Sequence, residues 1–160
     1  MQSLGNSAFI HRPSLAMLAL VGLLAAAHDA RAQQATQAGI VKVLTGQVTV
    51  QRQGQDNVAS VGLKLYPGDR VVTGADAAAG ITLRDDTLMS IGPGSSFVLE
   101  DFAFNESAGE GRIAVRLAKG TLRYVSGLIG KHSPSSQQVA TPTATIGIRG
   151  TDFIVEVADE

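Results

Sequence analysis

The chain is built from short stretches in which apolar and polar residues alternate, and most of these stretches end near glycine. Val48 and Val50 have polar neighbours, and Ile113 opens a similar stretch. All 18 glycines except Gly5 and Gly22 fall after residue 38. A period of two residues places the apolar side chains of a strand on one face. Such strands bury that face only by packing against one another, so the pattern predicts an all-β domain.

The alternation and the turn residues predict strands of about five residues. The predicted strands are Ile40–Leu44, Gln47–Arg52, Arg70–Thr73, Gly80–Leu83, Leu88–Ile91, Phe97–Phe102, Arg112–Leu117, Thr121–Val125, Thr143–Ile148 and Phe153–Val157. Turns spaced by about 8–12 residues fit a sandwich, a barrel or a short β-solenoid-like stack, and local patterning does not separate these architectures. We favour a β-roll of stacked layers, because one-sided strands with glycine at the corners close only by wrapping around each other. Two polar loops, Asn105–Gly111 and Lys131–Gln138, are expected to be mobile.

The aromatic residues predict an irregularity within one strand. Phe97 and Leu99 share one parity, whereas Phe102 and Phe104 share the other. Both pairs face the core only if a bulge or bend lies near Asp101.

The amino end has the features of a secretory signal peptide. Leu15–Ala27 is an uninterrupted apolar run of 13 residues, preceded by a basic residue and followed by Ala30-Arg31-Ala32. A membrane-spanning helix needs about 20 apolar residues, which favours a cleaved leader over a retained anchor. Cleavage is therefore expected between Ala32 and Gln33.

This interpretation divides the chain into a signal peptide over residues 1–32, a flexible lead-in over 33–38 and a β domain over 39–160. The mature protein is expected in the periplasm or outside the cell, with no stable insertion in a membrane after cleavage. The chain has no cysteine, and a net charge of −1 gives no electrostatic reason to bind nucleic acid. His132 is the one histidine after the leader, so no cofactor or metal site is expected.

Two stretches carry a resemblance to a known family. Residues 65–74 read LYPGDRVVTG, and they are followed by a strand-like segment and by Asp85-Asp86. Residues 119–127 lead into ATPTATIGIRGTDF over 140–153. Together these stretches resemble the FecR domain, a module of bacterial envelope proteins. The TP-x-A-x-x-G-x-RGT-x-F pattern is the more specific of the two.

The resemblance implies a role in Gram-negative signal transduction. Well-known members of the family sit in the inner membrane and receive, in the periplasm, a signal from an outer-membrane iron transporter. Their cytoplasmic segment then controls a sigma factor. This chain has only about a dozen residues ahead of its apolar run, that run has the features of a cleaved leader, and the sequence stops at Glu160. We therefore expect a binding module, not a direct transmembrane signalling protein.

The residues of the family motif are predicted to be structural. They are Gly68, Asp69, Thr73, Gly74, Thr141, Pro142, Arg149, Gly150 and Thr151. Asp69 is expected to accept backbone N–H bonds in a turn. Arg149 is expected to pair with a nearby carboxylate, Asp152 or another, and Gly150 to form a bulge or a close backbone approach.

Two other polar groups are expected on the surface. Asp85 and Asp86 are interpreted as a solvated turn in place of a calcium site, because no spaced carboxylate loop accompanies them. Family members commonly carry Asp-Gly at this turn, so Asp86 is expected to loosen it or to change its type. His132 is expected to be exposed in a Ser/Pro-rich loop, without the rigid partner that a catalytic triad needs.

The sequence favours an exported, non-catalytic FecR-like module that binds a protein partner or an envelope ligand. The alternative is a signal-sensing component of iron-uptake regulation whose amino-terminal segment stays as a membrane anchor. A small secreted hydrolase or sugar-binding protein is a third hypothesis, for which no acid/base pair can be placed in one cleft. The final segment, Phe153–Val157, is expected to leave an open edge that can accept a partner strand.

Overall fold

The computed structural model describes residues 36–150 and 152–158, where the chain forms an all-β fold. The strands are β1 (Gly39–Thr45), β2 (Val48–Arg52), β3 (Gln55–Val58), β4 (Lys64–Leu65), β5 (Arg70–Thr73), β6 (Ala78–Leu83), β7 (Leu88–Ile91), β8 (Ser96–Asn105), β9 (Glu110–Val125), β10 (Gln137–Ala140), β11 (Thr145–Gly147) and β12 (Asp152–Val157). A short helix, α1 (Leu128–His132), and a 3-10 turn (Pro134–Ser136) precede β10.

Strand β9 belongs to two sheets. Its first half pairs antiparallel with β8 and parallel with β10, and its second half pairs antiparallel with β7 and β12. Sheet A therefore has the order β4-β1-β6-β7-β9-β12, and sheet B has the order β3-β2-β5-β8-β9-β10-β11. The two sheets form one continuous hydrogen-bonded surface that folds over at β9.

The inner faces of both sheets share one hydrophobic core. The core includes Val41, Ile81, Met89 and Ile91 from sheet A, Val50, Val71, Phe97 and Leu99 from sheet B, and Ile113, Val115, Leu117, Leu122 and Tyr124 from β9. The Tyr124 hydroxyl donates to Gln137 Oε1 at 2.6 Å, and burial raises the pKa of that hydroxyl. The Tyr124 ring stacks on Phe153 with 5.1 Å between ring centroids. The chain is thus held together by apolar burial and backbone pairing.

The structure confirms the all-β prediction and several predicted strands. Strands β5 and β7 have the predicted bounds. The predicted strands 112–117 and 121–125 are one strand, because Gly120 adopts a φ of +88° that bends β9 without ending it. The sequence does not predict strands β3, β4 and β10. Strand β3, for example, reads QDNV and shows no apolar alternation.

The irregularity expected near Asp101 is confirmed. The register of β8 on β9 shifts between Leu99 and Asp101, so Phe97 and Phe102 both reach the core.

The second predicted mobile loop was wrong. Residues 131–138 complete α1, form the 3-10 turn and begin β10. Gln137 is 2% exposed and accepts the Tyr124 hydroxyl bond. The polar composition of this segment predicts a loop and gives no sign of the buried Tyr124–Gln137 hydrogen bond.

The predicted signal peptide, its cleavage position Ala32/Gln33 and most of the lead-in lie outside the described residues. Within residues 36–150 and 152–158, no helix has the length and apolar character to span a membrane.

We predict that Gly120→Ala lowers the free energy of unfolding by about 3 kcal/mol or more, measured by urea denaturation. A Cβ at Gly120 would stand 2.6 Å from Ser95 Cα and would also overlap Ser95 Oγ, and φ is +88°. Gly94→Ala is the matched control, because φ is +61° there and no heavy atom lies within 4 Å of the added Cβ. The control should cost only about 1–2 kcal/mol. Equal losses would contradict steric exclusion by Ser95.

Candidate binding site

A groove of about 500 Å³ separates the β10–β11 hairpin from the end of β12. Strands β10 and β12 pair with the same edge of β9, one before and one after residues 117–119, which leaves a gap between them. The groove is lined by Ala118, Lys119, Thr141, Pro142, Thr143, Ile146, Val155, Glu156, Val157 and Ala158. Its lining is apolar at Pro142, Ile146 and Val157, so it fits apolar side chains.

Strand β12 forms one wall of the groove and an edge of sheet A. Among the described residues its only strand partner is β9. Phe153 and Val155 face the core side, whereas Ile154 is 65% exposed on the outer face. The edge predicted at 153–157 is therefore present in the described part of the chain.

The Thr141–Ala144 turn forms the opposite wall. Thr141 N donates to Ala144 O at 2.7 Å, and Ala144 N donates to Thr141 Oγ1 at 3.0 Å. These bonds close the hairpin and leave Pro142 exposed at its tip. Thr141 therefore shapes the groove wall and Pro142 contributes to its lining.

The RGT part of the motif lies on the surface. Arg149 and Gly150 are exposed, and Thr151 lies outside the described residues. The expected pairing of Arg149 with Asp152 was wrong, because Asp152 Oδ2 lies 2.6 Å from Arg123 Nη2. That contact lowers the pKa of the Asp152 carboxyl. At Gly150 the backbone oxygen accepts a hydrogen bond from Ser126 Oγ at 2.8 Å, and no heavy atom lies within 4 Å of an added Cβ.

In the first part of the motif Asp69 and Thr73 are buried, whereas Gly68 and Gly74 are exposed. Asp69, 1% exposed, accepts the Tyr66 backbone N–H at 2.8 Å, as a turn carboxylate does. Arg52 Nε and Nη2 donate to its two carboxylate oxygens at 2.7 and 2.8 Å. The Arg52 guanidinium also lies 4.6 Å from the centre of the Tyr66 ring. Gly68, with φ +92°, supplies the turn.

Thr73 and Gly74 connect the two sheets. Thr73 Oγ1 donates to Gly92 O at 2.7 Å and accepts from Ser95 N at 2.9 Å. Gly74 O accepts from Gly94 N at 2.9 Å. Ser95 Oγ in turn accepts from Thr121 N at 3.0 Å on β9. Thr73, Gly74 and Ser95 thus make hydrogen bonds that link neighbouring strands and turns, and no sequence signal identified Ser95.

The solvated turn expected at Asp85 was wrong. Asp85 is 0% exposed, and its carboxylate accepts from Thr87 Oγ1 at 2.7 Å and from Ile129 N at 3.3 Å. Thr87 Oγ1 accepts from Gly127 N at 3.1 Å. The side chain therefore satisfies donors at the start of α1, a contact that a search for turns does not reveal.

Asp86 and His132 are both exposed, as expected. Asp86 has a φ of +64°, a left-handed conformation that glycine adopts without strain. His132 lies on α1, and its Nδ1 is 3.0 Å from Leu128 O. Within the described residues no three His, Asp or Glu side chains converge to hold a metal ion.

We predict that Asp85→Asn lowers the free energy of unfolding by about 2 kcal/mol or more, because an amide nitrogen would face backbone and hydroxyl donors in a buried site. Asp86→Asn is the neighbouring control, and it should change stability by less than about 0.5 kcal/mol. Asp86→Gly should stabilise by about 1 kcal/mol by relieving the left-handed backbone. Urea denaturation measures all three variants. Similar losses at positions 85 and 86 would contradict the assignment of Asp85 as the buried support of α1.

Comparison with protein-family models matched the chain over residues 69–160 to the family described as FecR protein. Comparisons with curated proteins and with solved structures gave no match. The matched range covers more than half of the chain and includes the β10–β11 hairpin and β12. It also includes most of the motif from Asp69 onward. The chain therefore belongs to the FecR family.

Proposed function

We propose that this chain is a non-catalytic binding module that receives an extended segment of an envelope protein at the free edge of β12. The observation that carries the proposal is the position of this edge beside the apolar groove. An extended segment gains main-chain hydrogen bonds at a sheet edge and specificity from pockets for alternate side chains.

The four outer strands differ in their capacity to accept a partner, and β4 has only two residues. Strand β3 has four residues and carries Asp56, and β11 has three residues ending in glycine. Strand β12 has six residues and is largely apolar. Strand β12 also carries the carboxylates Asp152 and Glu156, so charge does not separate it from β3. Shortness and glycine discourage edge pairing, and the longer β12 is therefore the favoured acceptor.

The groove supplies the second half of the recognition. A strand added beside β12 would direct alternate side chains toward the gap between Val157 and Ile146. Apolar side chains at these positions would cover groove surface that is otherwise in contact with solvent. The proposal therefore expects a partner segment with apolar residues at every second position.

Family membership supports a regulatory role in place of catalysis. FecR-type proteins act in signal transduction for iron uptake, and the chain belongs to that family. The signal peptide predicted over residues 1–32 supports the proposal that the domain lies in the periplasm of a Gram-negative cell. We propose no cofactor.

The binding proposal predicts photo-crosslinking from the groove. Benzoylphenylalanine at Thr143 or Ala158, in full-length chain expressed in Gram-negative cells, should crosslink to an envelope protein within an extended segment identified by mass spectrometry. The same probe at Asn57 on β3 is the control and should give no such product. Ile146→Arg should reduce the crosslink at least 10-fold. Equal crosslinking from Asn57, or no crosslink from the groove, would contradict the proposal.

The export proposal predicts the amino terminus of the purified protein. Edman sequencing of protein recovered from the periplasm should begin at Gln33, because signal peptidase cleaves after a small-x-small sequence. A protein that begins at Met1 and stays with the membrane fraction would instead support the anchored signal-sensing alternative.

A further inference from the structure

Two adjoining cavities lie beside the first half of β9, where the 3-10 turn leads into β10. Their volumes are about 580 and 350 Å³, and both are lined by Arg112 and Ser136. The first extends toward Phe104 near the end of β8, and the second extends toward Gln138 on β10. We call the two cavities together the polar cleft. Its volume lies in the range of sites that hold small ligands.

The register of sheet B explains the shape of the polar cleft. One row crosses four strands on the outer face: Asp101 on β8, Ala114 on β9, Gln138 on β10 and Gly147 on β11. Asp101 and Gln138 are two strand spacings, or roughly 10 Å, apart. Along β9, Arg112 and Arg116 flank Ala114 on the same face. The methyl group of Ala114 therefore forms a low floor that longer polar side chains surround.

The polar side chains of the cleft have hydrogen-bonding capacity that the chain itself does not use. Arg112 donates from Nε and Nη2 to Asp101, which occupies two of the five N–H groups of the guanidinium. Within the part of the chain that the structure describes, the side chains of Glu110, Ser135 and Gln138 make no hydrogen bond. The cleft therefore offers guanidinium and amide donors beside carboxylate, hydroxyl and amide acceptors.

The charges of the polar cleft disfavour ionic ligands. Asp101 is neutralised by its ion pair with Arg112, whereas Glu110 is an unpaired carboxylate. A phosphate or carboxylate ligand would be repelled by Glu110. A metal ion would find too few ligands, since no three His, Asp or Glu side chains converge anywhere in the described ranges. A neutral ligand rich in hydroxyl groups meets neither obstacle.

Phe104 gives one end of the polar cleft an apolar surface. Its ring is partly buried, and its centroid lies 6.5 Å from that of Phe102 in the core. A sugar ring has a C–H face that packs on an aromatic ring and hydroxyl groups that bond to polar side chains. An apolar peptide would instead leave the arginine, glutamine and serine groups without partners. The combination therefore fits a carbohydrate.

We propose that the polar cleft binds a neutral glycan, with one sugar ring on Phe104 and the hydroxyl groups of the chain bonded to Arg112, Ser136 and Gln138. The glycan is bound and not cleaved. No residue lines both the polar cleft and the groove beside β12, so this proposal and the proposed strand docking do not depend on each other.

The test measures the binding of neutral oligosaccharides to ¹⁵N-labelled protein as it is purified from cells. Maltotetraose, cellotetraose and tetra-N-acetylchitotetraose are titrated in turn and followed by heteronuclear NMR. At least one should give saturable shifts of the backbone amides of Arg112, Ser136 and Gln138, with a Kd of about 1 mM or tighter. The proposal is wrong if none of the three sugars shifts these amides, or if the saturable shifts lie elsewhere.

Two further ligands separate a glycan from other chemistry. Sorbitol has hydroxyl groups but no ring that could pack on Phe104, so it should bind at least about 10-fold more weakly. Tetragalacturonic acid has the ring but carries carboxylates that Glu110 repels, so it should also bind more weakly than the neutral sugars. Equal or tighter binding of either ligand would overturn the proposal.

Substitutions locate the contact. Arg112→Ala removes the free donors and should weaken sugar binding about 10-fold, and the protein should still fold because exposed ion pairs contribute little to stability. Arg123→Ala is the matched control, since Arg123 forms an exposed ion pair with Asp152 outside the polar cleft and should leave binding unchanged. Phe104→Leu keeps an apolar side chain without the aromatic face and should weaken binding several-fold. Equal affinities of Arg112→Ala and Arg123→Ala would exclude the cleft.

Discussion

The backbone pairing of β9 is the interaction on which the rest of the structure depends. Each half of this 16-residue strand is paired on both edges, and its two halves belong to different sheets. The fold-over brings the inner faces together, so Leu117 and Leu122 of β9 are both fully buried in one core. Burial of each such leucine contributes about 1.5–3 kcal/mol. Gly120, with a φ of +88°, and the register shift of β8 at Ala118 lie where β9 passes from sheet B to sheet A.

The two parts of the family motif have different physical roles. Asp69, Thr73 and Gly74 lie in hydrogen-bonded contacts that join strands, and Asp69 holds Arg52 from β2. The second part, from Thr141 to Gly150, lies largely on the surface, and a Cβ added at Gly150 would have no heavy atom within 4 Å. Structural demands explain the first part. The exposed residues of the second part can instead contact a partner.

The sequence predicts this fold where a residue's role depends on its near neighbours. Alternation located β5 and β7, and the parity of Phe97 and Phe102 located the bulge in β8. Prediction failed where the partner lies far along the chain. Asp85 supports Ile129, 44 residues away, and Asp152 pairs with Arg123 and not with the closer Arg149. The sequence does not predict the groove, because it forms between β10 and β12, which are distant from their shared partner β9 along the chain.

The late position of β12 has a consequence for synthesis. Its partner, the second half of β9, ends at Val125, whereas β12 begins at Asp152. Until residues 152–157 have emerged, from the ribosome or from an export channel, the edge of that stretch of β9 opposite β7 lacks its strand partner. Nascent chains with such an unpaired edge are prone to intermolecular aggregation. The polypeptide therefore passes through a vulnerable interval, in which a chaperone that shields β9 would raise the yield of native protein.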